Sequence, residues 1–317
     1  MQRFWNILVV CNGDESDRRN LDRIADLADR NRAKVTLFRV VGTSTTELAQ
    51  FFNLLPGLGG DALADDVMAE HRAHIEALAA QLRDCGMDVE LDITSGTDFI
   101  EVIRRVLRQS HDLVTKMIAP GDRSSFPPSQ DMHLMRKCPC PVWIFNTASD
   151  IIPRRILAAI HPDPTHPEQN QLIMQLATSM AAWSDARLDV MSVRRLPEEP
   201  MLHHCRIKRP TAEVDALVEQ MRPKSAAKLT APMDGFPEVQ DRMRMVNIKG
   251  LASDQVVDHV TTDQIGLVIM STLSRTGVAG LWIGNTAETV LSQVCCSVMA
   301  VKPEGFVSPV TLDEGVS

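Results

Sequence analysis

Gly277, Gly280 and Gly284 stand in a loop that runs into Asn285-Thr-Ala-Glu288. Asn285 can cap a helix, with Glu288 three positions on as its capping-box partner. A glycine-bearing loop ending at a helix start aims backbone N–H groups and the helix dipole at one place, which suits an anion. Taken alone this pattern is weak, because many helix starts share it. Lys116 sits in an apolar run, where an unpaired ammonium is costly. It either meets an anion or carboxylate in a crevice or extends its charge out at the strand end, and the second is expected. His203-His204-Cys205, with His161 and His166, lack metal-ligand spacing and read as loop residues. Cys138-Pro-Cys140 and Cys295-Cys296 precede two apolar runs; Cys140 and Cys296 read as buried packing residues, Cys138 and Cys295 as outward-facing. A Cys-x-Cys pair can also oxidise. There is no Gly-x-Ser-x-Gly, no Gly-x4-Gly-Lys-Ser/Thr and no His-Glu-x2-His. No nucleophile is paired with a base, so no catalytic residue is assigned, no metal or obligatory cofactor is expected, and the chain reads as a non-enzyme.

These residues must be positioned by a fold, and the chain writes that fold twice. Gly96 and Gly250 are 154 residues apart, as are Leu113-Val and Leu267-Val. Cys140-Pro-Val142 and Cys296-Ser-Val298 are 156 apart, and Asn6-Ile-Leu and Arg155-Ile-Leu are 149 apart. A nearly constant offset over four segments in one order indicates two copies of one unit. In the first copy the apolar runs are 7–11, 35–41, 89–93, 113–118 and 142–145, short and rich in Val and Ile, as doubly covered strands should be. Between them lie helical patterns: Leu21, Ile24, Ala25 and Ala28, then Ile75, Leu78 and Leu82 with Gly86 closing the helix. Leu172, Ile173, Leu176, Ala177 and Met180 repeat this in the second copy. Strands alternating with helices predict an α/β fold: two tandem domains, each a five-stranded parallel sheet of order 3-2-1-4-5 with helices on both faces. The expected domains are 1–148 and 154–304, with a polar linker at 147–154 and a tail at 305–317. Residues 195–242 read as an insertion, with a helix after Thr211 and a loop at 231–241. In such sheets a ligand sits beyond the C-terminal ends of strands one and four.

The chain has 317 residues, 44% of them apolar, and a net charge of −8. The excess of acid disfavours phosphate-backbone binding, so no direct nucleic-acid partner is expected. Aromatics are 4% and tyrosine is absent, which argues against a base-stacking RNA surface. No run of 18 apolar residues occurs, so no membrane contact is expected. Seven cysteines without framework spacing suggest a reducing cytoplasm.

The segment from Gly266 to Pro303 resembles the C-terminal half of a universal stress protein domain. That family's nucleotide binders carry Gly-x2-Gly-x9-Gly-Ser/Thr after strand four. Here the positions are Ser271, Ser274 and Gly284, followed by Asn285. The duplication, Leu113-Val-Thr-Lys-Met117, 136–143 and Gly284-Asn-Thr-Ala-Glu288 resemble the family's tandem E type. The resemblance implies an adenine nucleotide, ATP or AMP, in the second domain, at His161, Asp163, Val193, Met270, Ser271, Ser274, Gly284, Asn285 and Thr286. Serine in place of glycine crowds the backbone and disfavours positive φ, which weakens such binding without excluding it. His161 replaces the family's acidic residue, with Asp163 two places on. In the first copy Met117 and Pro120 stand where Ser271 and Ser274 stand in the second, and Asn12 follows strand one. Methionine fills space and proline removes a donor, so that motif is lost. The resemblance also implies pairing of the two domains through their fifth strands, 142–145 and 298–301, with further association into a homodimer left open. Its functional implication is a cytoplasmic stress-response protein supporting survival under oxidative, DNA-damaging or starvation stress by binding a ligand or partner. The alternatives are a nucleotide-free interaction scaffold, a binder of an apolar ligand under the 195–242 insertion, and a weak ATP hydrolase.

Overall fold

A computed structural model describes residues 3–42, 60–118, 129–146, 152–162, 167–194, 235–272 and 285–312. The strands are β1 (Asn6–Val10), β2 (Lys34–Gly42), β3 (Val89–Gly96), β4 (Leu113–Met117), β5 (Val142–Phe145), β6 (Arg155–Ile160), β7 (Arg187–Arg194), β8 (Met243–Lys249), β9 (Leu267–Ser271) and β10 (Ser297–Val301). The helices are α1 (Ser16–Asn31), α2 (Gly60–Asp84), α3 (Asp98–Gln109), α4 (Ser129–Lys137), α5 (Pro167–Ser184), α6 (Ala252–Thr262) and α7 (Asn285–Gln293).

The strands form one ten-stranded sheet in the order β3-β2-β1-β4-β5-β10-β9-β6-β7-β8. Each half is therefore 3-2-1-4-5, the order expected from the alternation of strands and helices. Within a half every pair is parallel; β1 lies between β2 and β4, with Ile7 opposite both Val35 and Leu113. At the centre β10 runs antiparallel to β5, with Val298, Met299 and Ala300 opposite Ile144, Trp143 and Val142. Pleating sends alternate residues to opposite faces. Ile7 and Val9 enter one apolar layer with α1, α2 and α5, while Leu8 and Val10 enter the other with α3, α4, α6 and α7. Both layers draw residues from both halves.

Local rules account for the repeated elements. In α3, Phe99, Val102, Ile103 and Val106 are buried at the i, i+3, i+4, i+7 spacing of one helix face. Gly96 and Gly250, the pair that first marked the duplication, have φ of 152° and 148°. A Cβ on Gly96 would lie 2.8 Å from Cγ of Glu101, and one on Gly250 3.1 Å from Cγ of Gln255. The sharp entry into α3 and α6 thus demands glycine twice. Residues 237–242, expected to lie largely in a loop, form a 3₁₀ turn whose Val239 is buried. Proline at its first position supplies the fixed φ for that turn. The helix expected after Thr211 and most of the 195–242 insertion lie outside the described residues.

Side chains also cross between the halves. Trp183 of α5 donates from Nε1 to Asp26 of α1 at 2.6 Å, and its ring meets Trp143 edge-on at 6.3 Å. Arg136 of α4 pairs with Glu288 of α7 at 2.6 Å. Glu288, read as a capping residue, therefore also makes an inter-half contact.

His111, between α3 and β4, is buried with Nε2 3.2 Å from the Thr36 hydroxyl. Burial holds its pKa down at about 4. The unfolded chain takes a proton here that the folded chain refuses, so stability must fall as the pH drops through that interval. The expected loss between about pH 6.5 and 4 is up to about 3 kcal/mol from this group. Urea denaturation across that range should show it, and His111→Gln should flatten the profile.

Candidate functional site

In the two halves the strand order places the expected crevices beyond the C-terminal ends of β1/β4 and β6/β9. Chemically they differ. In the first half the loop after β1 is closed by its own groups. Asn12 N–H and Gly13 N–H donate to the two carboxylate oxygens of Asp17, each at 2.8 Å. The Asn12 side chain donates to the carbonyl of Met117 at 2.8 Å, bridging the ends of β1 and β4. Arg39 donates to the carbonyl of Cys11 at 3.0 Å, and His74 Nε2 lies 3.2 Å from Asp17. The amides an anion would need already bind a carboxylate, and Met117 is buried.

Lys116 completes this closure and departs from expectation. It does not extend out at the strand end. Its ammonium lies 2.5 Å from Asp98, at the start of α3, and 2.8 Å from Asp131 in α4. Burial alone would lower its pKa, but the charges of Asp131 and Asp98 outweigh that and leave it raised. Two carboxylates around one ammonium leave a net negative charge, which repels phosphate. The second half places Met270, Ala252 and Ala287 at the matched positions. Met270 and Ala287 are buried in an apolar layer, with Ala252 packed against it. An ionic triad in one copy is thus an apolar triad in the other. Comparing the copies residue by residue at the 154–156 offset would have exposed this set.

In the second half, His161 is tied through its backbone: its N–H donates to Asn170 Oδ1 and its carbonyl accepts from Asn170 Nδ2, both at 2.8 Å. Gln169 donates a hydrogen bond to the Ser271 hydroxyl. Val193 and Met270 are buried, and Thr286 is exposed in the first turn of α7. The structure therefore brings His161 and Ser271 to the same end of adjoining strands, through α5. Helix α7 starts at Asn285, as the capping pattern predicts. Asp163, Ser274 and Gly284 lie outside the described residues, as do His166, His203 and His204.

One group of potential metal ligands occurs among the described residues: Asp189, His259 and Asp263. It lies at the opposite, N-terminal end of the strands. His259 is 2.9 Å from Asp189 and 3.1 Å from Asp263. Arg244 reaches Asp189 at 2.6 Å and Asp263 at 3.1 Å, and Arg155 reaches Asp263 at 2.7 Å. Burial would raise the Asp189 pKa, but hydrogen bonds from Arg244 and His259 hold it below the usual range. Two guanidinium groups already neutralise the carboxylates, so a divalent cation would meet repulsion rather than free ligands. The arrangement ties β6, β7, β8 and α6 together.

The cysteines also depart from expectation. Cys138 is buried and Cys140 partly exposed, the reverse of their expected roles. Cys138 follows directly on α4, whose inner face carries it into the core, with its N–H donating to the Leu134 carbonyl at 2.9 Å. Cys296 is buried and Cys295 exposed, as expected.

Lys116→Met should lower stability by about 3–5 kcal/mol at neutral pH, towards the lower end because Asp98 is partly solvated, since two carboxylates lose their cation. Adding Asp98→Ala and Asp131→Ala, the second half's own residues, should bring stability back to within about 1 kcal/mol of the starting protein. Urea midpoints of the three proteins check this.

The universal stress protein family model matches residues 153–302. Universal stress protein E of Salmonella typhi is 28% identical over 320 residues, covering 99% of both chains. A protein of unknown function from Pseudomonas aeruginosa PAO1 has a solved structure that superposes with a TM-score of 0.71 at 22% identity, over 95% of this chain and 94% of that one. A universal stress protein from Archaeoglobus fulgidus gives 0.60 at 13% identity, over 94% and 96%. Those structures agree with the tandem α/β architecture described above. Residues 153–302 thus match the universal stress protein family model, and along its whole length the chain is similar to the proteins named universal stress protein E.

Proposed function

We propose that this chain is a cytoplasmic stress-response protein that works by holding a ligand or protein partner rather than by catalysis. Its domains are 1–148 and 154–304, with a tail at 305–317, joined through β5 and β10 as an intramolecular pseudo-dimer. The second crevice, with a degenerate motif, takes an adenine nucleotide, ATP or AMP, weakly, around His161, Asp163, Val193, Met270, Ser271, Ser274, Gly284, Asn285 and Thr286. The first crevice takes none.

The observation that carries this reading is the chemical asymmetry between the crevices. In the first, Asp17 accepts from the loop amides and Lys116 is enclosed by two carboxylates. In the second, the positions matching Lys116, Asp98 and Asp131 are uncharged, and Thr286 in the first turn of α7 is exposed. Phosphate is favoured where N–H groups converge without nearby carboxylates. The similarity to proteins named universal stress protein E supports the stress-response role.

Denaturing the purified full-length chain and analysing what it releases by mass spectrometry tests the nucleotide directly. ATP or AMP at near one per chain is expected. A lipid-like molecule, or nothing, would instead favour the apolar-ligand or scaffold reading. ATP turnover above a blank, reduced on replacing Ser274 or Asn285, would make the protein a hydrolase. Replacing both Ser271 and Ser274 with glycine removes the side chains that crowd the backbone, including the hydroxyl held by Gln169. ATP should then bind roughly tenfold more tightly. An unchanged dissociation constant in calorimetry would refute backbone crowding as the obstacle.

A further inference from the structure

Cys138 and Cys140 flank Pro139 between α4 and β5, with their Sγ atoms 3.6 Å apart. That is direct sulfur–sulfur contact, and the fixed φ of the intervening proline limits how far the two can separate. Among the described residues no other pair of thiols approaches in this way. Lys302, just beyond β10, faces the same place. It is 4% exposed, its ammonium donates to the Met135 carbonyl and the Thr272 hydroxyl, and it lies 5.5 Å from the centre of the Phe306 ring. Among the described residues no carboxylate pairs with it. Burial lowers its pKa to about 8, and the groups of opposite charge that act on it are the sulfurs of Cys138 and Cys140. A dry ammonium without a counter-ion is costly, and a thiolate would supply one.

We propose that Cys138 and Cys140 form a reversible dithiol–disulfide site that reacts with hydroperoxides, with Lys302 positioning the thiolate. Cys140 is the accessible member and meets the oxidant first. Aided by the nearby Lys302 ammonium, it gives its proton to solvent, and its sulfur attacks the outer oxygen of the hydroperoxide. The O–O bond breaks, the remaining oxygen takes a proton and leaves as alcohol or water, and Cys140 becomes a sulfenic acid. Cys138, which faces the same ammonium, then gives up its proton and attacks that sulfur. The S–S bond forms, and hydroxide leaves and is protonated to water. Two electrons pass from the thiols to the peroxide, and a dithiol reductant reverses the change. The Cys140 thiol is pushed well above its usual range, first by its hydrogen bond to Cys138, then by burial, and then by the charges of Cys138 and Asp112. Lys302 from the end of β10 and Asp112 from the start of β4 are the charged side chains that face the pair. The first step should therefore be slow at neutral pH and quicken as the pH rises. The disulfide would tie the end of α4 to the entry of the strand that pairs with β10.

The full-length chain treated with hydrogen peroxide, blocked with an alkylating agent and digested with trypsin reports the outcome by mass. The peptide from Cys138 to Arg154 contains no other cysteine. It should lose two hydrogens, recover them with dithiothreitol, and fail to change in Cys138→Ser and Cys140→Ser. Lys302→Met should slow disulfide formation roughly tenfold and displace its pH profile upwards, as expected from about one unit of lost charge stabilisation. Lys302→Arg keeps the cation and should restore the profile, which a purely structural loss would not predict. Oxidation confined to the exposed Cys85 and Cys295, with the Cys138 peptide unchanged, would overturn the site. A pH profile identical in Lys302→Met and the starting protein would overturn the part given to the lysine.

Discussion

A strand edge is a row of N–H and C=O groups that must pair with something, and the antiparallel contact of β5 with β10 meets that requirement at the middle of this molecule. Trp143, Ile144, Val298 and Met299 pair there, and their side chains are buried in the two apolar layers. The apolar layers above and below follow the ladder and run through both halves. Without that pairing, each half would end in an exposed apolar strand.

Joining two copies in one chain frees each to change alone. In a symmetric dimer a substitution appears twice, so an ionic triad would occupy both crevices. Here Lys116, Asp98 and Asp131 occupy one, while Met270, Ala252 and Ala287 occupy the other. The N-terminal ends of the strands show the same freedom. Glu90 pairs with Arg105 in the first half, whereas at matched positions Arg244 and His259 gather on Asp189 in the second. Polar bridges persist at the same places in the fold while the charge at one position reverses, Glu90 in one copy and Arg244 in the other, because the fold needs compensated charge there rather than a given charge.

The repeated elements were legible because they rest on local rules. Alternation of short β-branched runs with i, i+3, i+4 patterns identified the strands and helices, and Gly96 with Gly250 marked the same sharp turn twice. The crevice chemistry was less legible because it depends on residues distant in sequence. Lys116 finds its partners on two different helices, one before its strand and one after it. No local pattern announces that Asp17 will take the amides of Asn12 and Gly13. The burial of Cys138 was hidden because only Cys140 and Cys296 occupy matched positions in the two copies, whereas Cys138 turns inward as the continuation of α4.

Parallel strands within a half and antiparallel strands between halves fix one further property of the molecule. The C-terminal ends of β1 and β4 point one way along the sheet, and those of β6 and β9 point the other. The crevice positions consequently lie at opposite poles, each at the pole where the other half's strands begin. A small molecule bound at one pole cannot touch the other, so communication between them must travel through the strands and the layers packed on them.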